Sequence, residues 1–228
     1  MNYIIGVGGV GSWLAHVIVK LVGADQVVLM DGDTLEDKNL DRQLFTIEDI
    51  GVNKAEALAA RLKCRSHTEW FSEYDIQYLS NDWLLCCVDN NPARKAVLTA
   101  CDRYGCKAII AANEVHSSEA YFYSPTFEGS ELDPRVYYPD IKHDESNDVR
   151  RASIGCTGEA QEKNRQLVTA NFMAGALAAH LYVLWAMEAK TASKETIPLL
   201  PHRLYQNLSR NGCVRRVDVQ QTQEKGNQ

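Results

Sequence analysis

The stretch YIIGVGGVGSWLAHVIVKLVGADQVVLMDGDTLEDKNLDRQ, Tyr3 to Gln43, decides how the rest of this 228-residue chain is read. A short apolar run, Tyr3 to Ile5, enters Gly6-Val7-Gly8-Gly9-Val10-Gly11. Apolar residues then recur at helical spacing (Trp13, Leu14, Val17, Ile18, Leu21), and a second apolar run, Val27 to Met30, stops at Asp31. The order is strand, glycine turn, helix, strand, acid. In such a turn Gly6 allows the tight bend, Gly8 lets backbone amides come up to a phosphate, and Gly11 lets the helix lie close to the sheet. Amides and dipole at the helix start favour an anion, with Gly9 in the middle of the cradle. Asp31 stands 20 residues past Gly11 (31 − 11), where a carboxylate can accept ribose hydroxyls. A nucleotide site uses all of these features; a merely structural glycine turn is the alternative.

Working outward, 45% apolar content over 228 residues is enough for one buried core. The expected organisation is a single domain over residues 1–220 and a disordered polar tail over 221–228. A formal net charge of −6 argues against a nucleic-acid backbone as partner. Seven cysteines without a C-x-x-C pair fit neither a disulfide framework nor structural zinc, so a reducing cytoplasm is expected. Histidines lack ligand spacing, and no signal peptide is expected before the first strand. Leu167 to Met187 has no charged residue and is long enough to span a bilayer. Thr169, Asn171, Gly175, His180 and many alanines make it a buried helix of a soluble domain instead, so no membrane partner is expected.

After Asp31 a polar, turn-rich connector leads to Asn53, an N-cap for a helix over Lys54 to Lys63. Thr68 to Phe71 suggests a short strand, and Asp75 to Leu79 a short helix or turn. Trp83 to Val88 is an apolar strand ending at Asp89. A helix from Pro92 to about Tyr104 and a strand over Lys107 to Ala112 follow. Alternating strands and helices predict an α/β fold: a Rossmann-like, mainly parallel sheet with helices on both faces. Ligands of such sheets sit beyond the carboxyl ends of the strands, where the glycine turn, Asp31 and Asp89 all fall. The C-terminal half extends the sheet with antiparallel strands, expected over Ala120 to Tyr123, Arg135 to Tyr138 and in a hairpin about Asn211-Gly212. A charged, exposed crossover loop is expected over about 140–160, and a long helix over about Ala160 to Lys190.

The connector also carries Asn39, Arg42, Gln43 and Lys54, donors that a nicotinamide enzyme does not need and a triphosphate does. Arg42 offers a bidentate fork and Lys54 a point charge to phosphate oxygens. Asp89, at a strand end, suits a Mg²⁺ that bridges phosphates.

GVGGVGS, MDGDTLEDKNLDRQ, DIGVNKAEALAARL and CVDNNPAR, spread over residues 3 to 94, resemble the ThiF/MoeB/HesA family, the bacterial relatives of the ubiquitin-activating enzymes. The spacing around Arg42 to Phe45, Gly155-Cys156, Gln166 to Asn171 and Asn207-Leu208 is most similar to short ThiF-like proteins of mobile-element (PRTRC-type) gene systems. The resemblance implies that Asp31 binds the ribose, with Asp33 assisting it or capping a turn. It implies that Asn39, Arg42, Gln43 and Lys54 hold ATP, and that Asp89 coordinates Mg²⁺ beside Asn90, supported by Arg94. It further implies adenylation of a carboxylate, usually the C-terminus of a ubiquitin-like protein or a peptide, by a homodimer. Cys156 has two readings: the thiol that takes the acyl group as a thioester, or a small residue packed against the late helix.

Two departures stand out. Family members commonly place a helix before the first strand that supplies an arginine to the partner subunit, and many hold zinc with two C-x-x-C pairs. This chain shows neither. A non-catalytic nucleotide-binding subunit, and adenylation of a substrate that is not ubiquitin-like, are the alternatives; a nicotinamide dehydrogenase is more distant.

Overall fold

The computed structural model describes residues 1–72, 74, 80–114, 116–144, 167–188, 200–208 and 214–215. Eight strands form one sheet among them: β1 Asn2–Ile5, β2 Val27–Met30, β3 Arg65–His67, β4 Trp83–Cys86, β5 Lys107–Asn113, β6 Ser117–Tyr123, β7 Arg203–Leu208 and β8 Val214–Arg215. The order across the sheet is β3-β2-β1-β4-β5-β6-β7-β8. The first five in that order pair parallel, and β6, β7 and β8 extend the sheet antiparallel. The Rossmann-like sheet with an antiparallel extension is therefore as expected.

Period-two alternation divides the core in two. Ile4, Leu29, Leu85, Ile109 and Phe122 pack on one face with α1 (Gly11–Val22), α2 (Lys54–Leu62) and α6 (Val168–Tyr182). Ile5, Met30, Leu84, Ile110 and Tyr121 pack on the other with α3 (Asn91–Tyr104) and Ile141 of α5 (Pro139–His143). Leu14 and Ile18 of α1 are almost wholly buried, a stabilisation of about 1.5–3 kcal/mol each. Polar caps set the helix starts: Asn53 accepts from the Ala55 and Glu56 amides, and Asn90 from the Ala93 amide. Helix α3 ends at Gly105 in the left-handed conformation (φ 72°).

Several sequence expectations are corrected. The strand expected at Thr68 to Phe71 lies at Arg65–His67, where it pairs with Val28 to Met30; a long-range partner, not local propensity, sets its place. The strand expected to reach Val88 stops at Cys86. Arg135 to Tyr138, read as a strand from its β-branched and aromatic content, begins as a helix, α4 (Pro134–Tyr137). Pro134 opens that turn and Asp133 caps it, accepting from the Arg135 amide at 2.9 Å. Part of the expected charged loop is α5, pinned by Ile141 at 2% exposure. The long helix is described from Val168, and its last turn, Val183–Glu188, widens into a π-helix. It meets the length and apolarity of a membrane span, yet its alanine side is buried on the sheet and α1 (Ala174 and Ala178, 0% exposed). β7 and β8 pair antiparallel, as the expected hairpin requires. The tail and most of the 140–160 crossover, Cys156 included, lie outside the described residues.

Candidate active site

At the carboxyl end of β1 the chain turns through Gly6, whose φ of 83° places it where side chains are strained. Its amide donates to Met30 O at 2.9 Å, tying the turn to β2. A Cβ there would also lie 3.0–3.1 Å from Val88 and Cys87, just past β4. Helix α1 then starts at Gly11 with Val10 as its N-cap and no side-chain cap. No carboxylate or hydroxyl of the α1 cap position is spent on that first turn, the arrangement that suits an incoming anion.

Asp31, at the end of β2, is buried, and both its oxygens are engaged. Oδ2 accepts from the Val7 amide at 2.6 Å and Oδ1 from the Asp33 amide at 2.9 Å. The acid thus joins the glycine turn to the connector, while the remaining lone pairs stay available to ribose hydroxyls. Burial pushes its carboxyl pKa up, against the lowering effect of the Asp33 and Val7 amides and of nearby Lys54. The folded chain therefore favours protonated Asp31: this contribution to stability is complete below the unfolded pKa and lost as pH rises through the folded one. A ribose hydroxyl prefers the ionised form as its acceptor. Adenosine affinity is accordingly expected to fall as pH drops through that raised pKa, and Asp31→Asn to weaken binding and flatten the profile, as calorimetry at a series of pH values would read. A sloped profile retained by Asp31→Asn counts against Asp31 as the acceptor.

The connector closes over the turn. Leu44 N donates to Ser12 Oγ at 3.2 Å, which seats residues 42–44 on the start of α1. Gln43 is buried beside Gly8, its Nε2 3.7 Å from where a Gly8 Cβ would stand, and its Oε1 has no partner among the described residues. Lys54, first residue of α2, is buried at 6% exposure and its ammonium pairs with the Asp33 carboxylate. Lys54 N also donates to Asp33 O at 3.0 Å, and Asn53 Nδ2 to Asp31 O at 2.8 Å. A buried cation is thus held by the carboxylate two residues beyond the buried acid.

Three further residues have more local roles than expected. Arg42 Nη1 donates to Lys38 O and to Asp41, both at 2.8 Å, with its side chain 27% exposed. Asn39 is buried and spends Oδ1 on the Glu36 amide, capping a turn of 3₁₀ helix. Asp33, with both readings open, pairs with Lys54. On the β4 side, Asp89 is exposed and has no partner among the described residues. Asn90 caps α3, while Arg94 is buried and braces the turn before it, donating to Val88 O and Asn91 Oδ1.

Two residues were not legible in the sequence. Trp70 packs against Gly32, between Asp31 and Asp33; a Cβ on Gly32 would meet its ring at 2.6 Å. Asn171 of α6 packs against Gly9 in the same manner, 2.6 Å from a Cβ there. The glycine between two acids was a usable signal for the first; the second stood in a run quoted for the family resemblance, with nothing local to tie it to Gly9. The described cysteines show no disulfide. Burial raises the thiol pKa of Cys64, Cys86 (to about 11), Cys87 and Cys101, which leaves them poor nucleophiles.

The ThiF family model matches residues 2–226, nearly the whole chain. The chain belongs to the ThiF family. Ubiquitin-like modifier-activating enzyme 5 of Aedes aegypti is 31% identical to this ThiF-family chain over 127 residues, 43% of the chain and 30% of that enzyme. The Xenopus laevis enzyme of that name is 32% identical over 123 residues, 45% and 31% respectively. The chain thus spans less than a third of the length of these relatives. E. coli MccB crystallised with AMPCPP and MccA superposes with a TM-score of 0.64 at 22% identity, over 97% of this chain and 64% of that one. E. coli TcdA, a tRNA N6-threonylcarbamoyladenosine dehydratase in complex with AMP, gives 0.59 at 19%, over 84% and 87%. Both share the ThiF fold.

Proposed function

We propose that this ThiF-family chain adenylates a carboxylate, that of a peptide or a ubiquitin-like protein, with ATP seated on the glycine turn. The observation that carries this reading is Lys54, a cation kept buried beside Asp31 by a connector that folds back onto the start of α1. MccB with AMPCPP and MccA, and TcdA with AMP, support nucleotide and peptide as ligand classes.

In the proposed reaction a carboxylate oxygen attacks the α-phosphorus, and the bond from that phosphorus to the bridging oxygen breaks. Acyl-adenylate and pyrophosphate form, and no proton need move. The protein's task is positioning and charge neutralisation. Val7 and Asp33 hold Asp31 for the ribose. The first turn of α1 and Lys54 would meet the phosphates, and Arg42 would join them only by leaving Lys38 and Asp41. Asp89 offers an exposed, unshared carboxylate, the oxygen donor that Mg²⁺ takes alongside phosphate and water; bound there, Mg²⁺ would neutralise charge on the departing pyrophosphate. Cys156, which lies outside the described residues, is the thiol we assign to a thioester stage.

Arg42, turned onto Lys38 and Asp41, favours a second reading: a nucleotide-binding subunit whose partner completes the chemistry. Exchange of labelled pyrophosphate into ATP, with a panel of free-carboxyl peptides, tests both. Asp89→Asn is expected to lower exchange about 10²-fold or more. Because Asp89 is exposed and unpaired, the melting midpoint is expected to stay within about 1 °C. No exchange by the parent chain despite ATP binding would favour the second reading; binding of NAD in preference to ATP would defeat both.

A further inference from the structure

Asn171 is 0% exposed, yet neither its Oδ1 nor its Nδ2 has a hydrogen-bond partner among the described residues. A carboxamide taken out of water without partners is unfavourable, and native structures seldom keep one without reason. It is also held firmly. Ser118 Oγ donates to Ala170 O at 2.9 Å, and one turn further on Gly175 allows α6 to within 3.3–3.4 Å of Val10 and Leu14 backbone and the Trp13 Cβ (measured from a Cβ placed on Gly175). So fixed, the carboxamide faces Gly9 of the nucleotide turn.

Two other neutral amides each have one buried atom without a partner among the described residues. Gln43 Oε1 lies beside Gly8, and Asn113 Nδ2 stands at the end of β5, opposite Ser118 in register. The charged groups, Lys54 and Arg42, come from the connector together with neutral Gln43, whereas α6 brings the uncharged Asn171. A phosphate offers acceptors only. It would satisfy Nδ2 of Asn171 but set its own lone pairs against Oδ1. The last residue of an extended peptide turns its own N–H and its own acyl oxygen to one side, the complement of a carboxamide.

We propose that Asn171 is a specificity-determining residue that pairs with the N–H and acyl oxygen of the residue whose carboxylate is activated. This rests on the adenylation reading and adds that the substrate must carry an amide, not merely an acid, at its end.

The test is calorimetry on the full chain with three probes. These are AMP, acetylglycyl-sulfamoyladenosine, and its ester counterpart in which oxygen replaces the N–H. The parent chain is expected to bind the amide probe about tenfold more tightly than the ester. Asn171→Leu is expected to bring that ratio near one, to leave AMP affinity within about twofold, and to raise the melting midpoint by removing an unpaired buried amide. Where N171L fails to fold, Asn171→Ala is read by the same two ratios. A parent chain indifferent to the N–H, or a variant that weakens AMP as much as the amide probe, overturns the assignment. Failure of the parent to bind AMP at all would instead defeat the adenylation reading.

Discussion

Gly11→Ala is expected to cost the fold about 3 kcal/mol or more, a drop in melting midpoint on the order of 10 °C. A Cβ at position 11 would stand 1.9 Å from the Gly6 carbonyl oxygen and 3.0 Å from its carbon. Both atoms are backbone, and Gly6 is fixed by its positive φ and by its bond to Met30. No rotamer change relieves such a contact, so β1 or α1 must move off the sheet. Gly8→Ala makes the contrast. Its Cβ would meet only Gln43 Nε2 at 3.7 Å, so stability should change by less than about 0.5 kcal/mol. ATP affinity should nevertheless fall, because the added methyl stands in the turn on which the proposed reaction seats ATP. Thermal melts and ATP titrations of the two variants separate these effects. Equal loss of stability in both would mean that the turn is held together differently from the geometry described.

The largest catalytic effect is expected at Lys54→Met: a loss of roughly 10²–10³-fold in pyrophosphate exchange. The ammonium is buried and already held in place by Asp33. Methionine is of similar length and apolar, and the partner it leaves behind, Asp33, is 45% exposed and can turn to water. Fold stability should therefore change little. Lys54→Arg should not rescue exchange, since a planar fork does not fit a site shaped around a point charge. Arg42→Ala should have the smaller effect, because its guanidinium is committed to Lys38 and Asp41 before any ligand arrives. Exchange by Lys54→Met within tenfold of the parent would remove the observation on which the functional reading rests.

Local pattern made the first half of the chain legible. Alternating apolar runs gave the parallel strands, and glycine spacing with a distant acid gave the nucleotide turn. What local pattern misjudged was placed by distant partners. Arg65–His67 is a strand because β2 pairs with it. At α4, the Asp133-Pro134 cap outweighed the β-branched content of the residues after it. The site was legible in the same uneven way. Asp31 could be matched to a ribose by counting residues, but not its bond to the Val7 amide. Lys54 read as a phosphate ligand, whereas its ion pair with Asp33 needed the connector's fold. Asn171 follows the glycines by about 160 residues, and only the packing of α6 on α1 brings it there.

β1 is four residues long and lies between β2 and β4, pairing with both in register from Asn2 to Ile5. Ile4 and Ile5 face opposite cores, and Gly6 follows at once. Adding or deleting one codon within it would exchange the two isoleucines between layers and turn the first glycine away from Met30. Both halves of the interior and the mouth of the site therefore share a single reading frame, and this strand can accept changes of letter far more readily than changes of length.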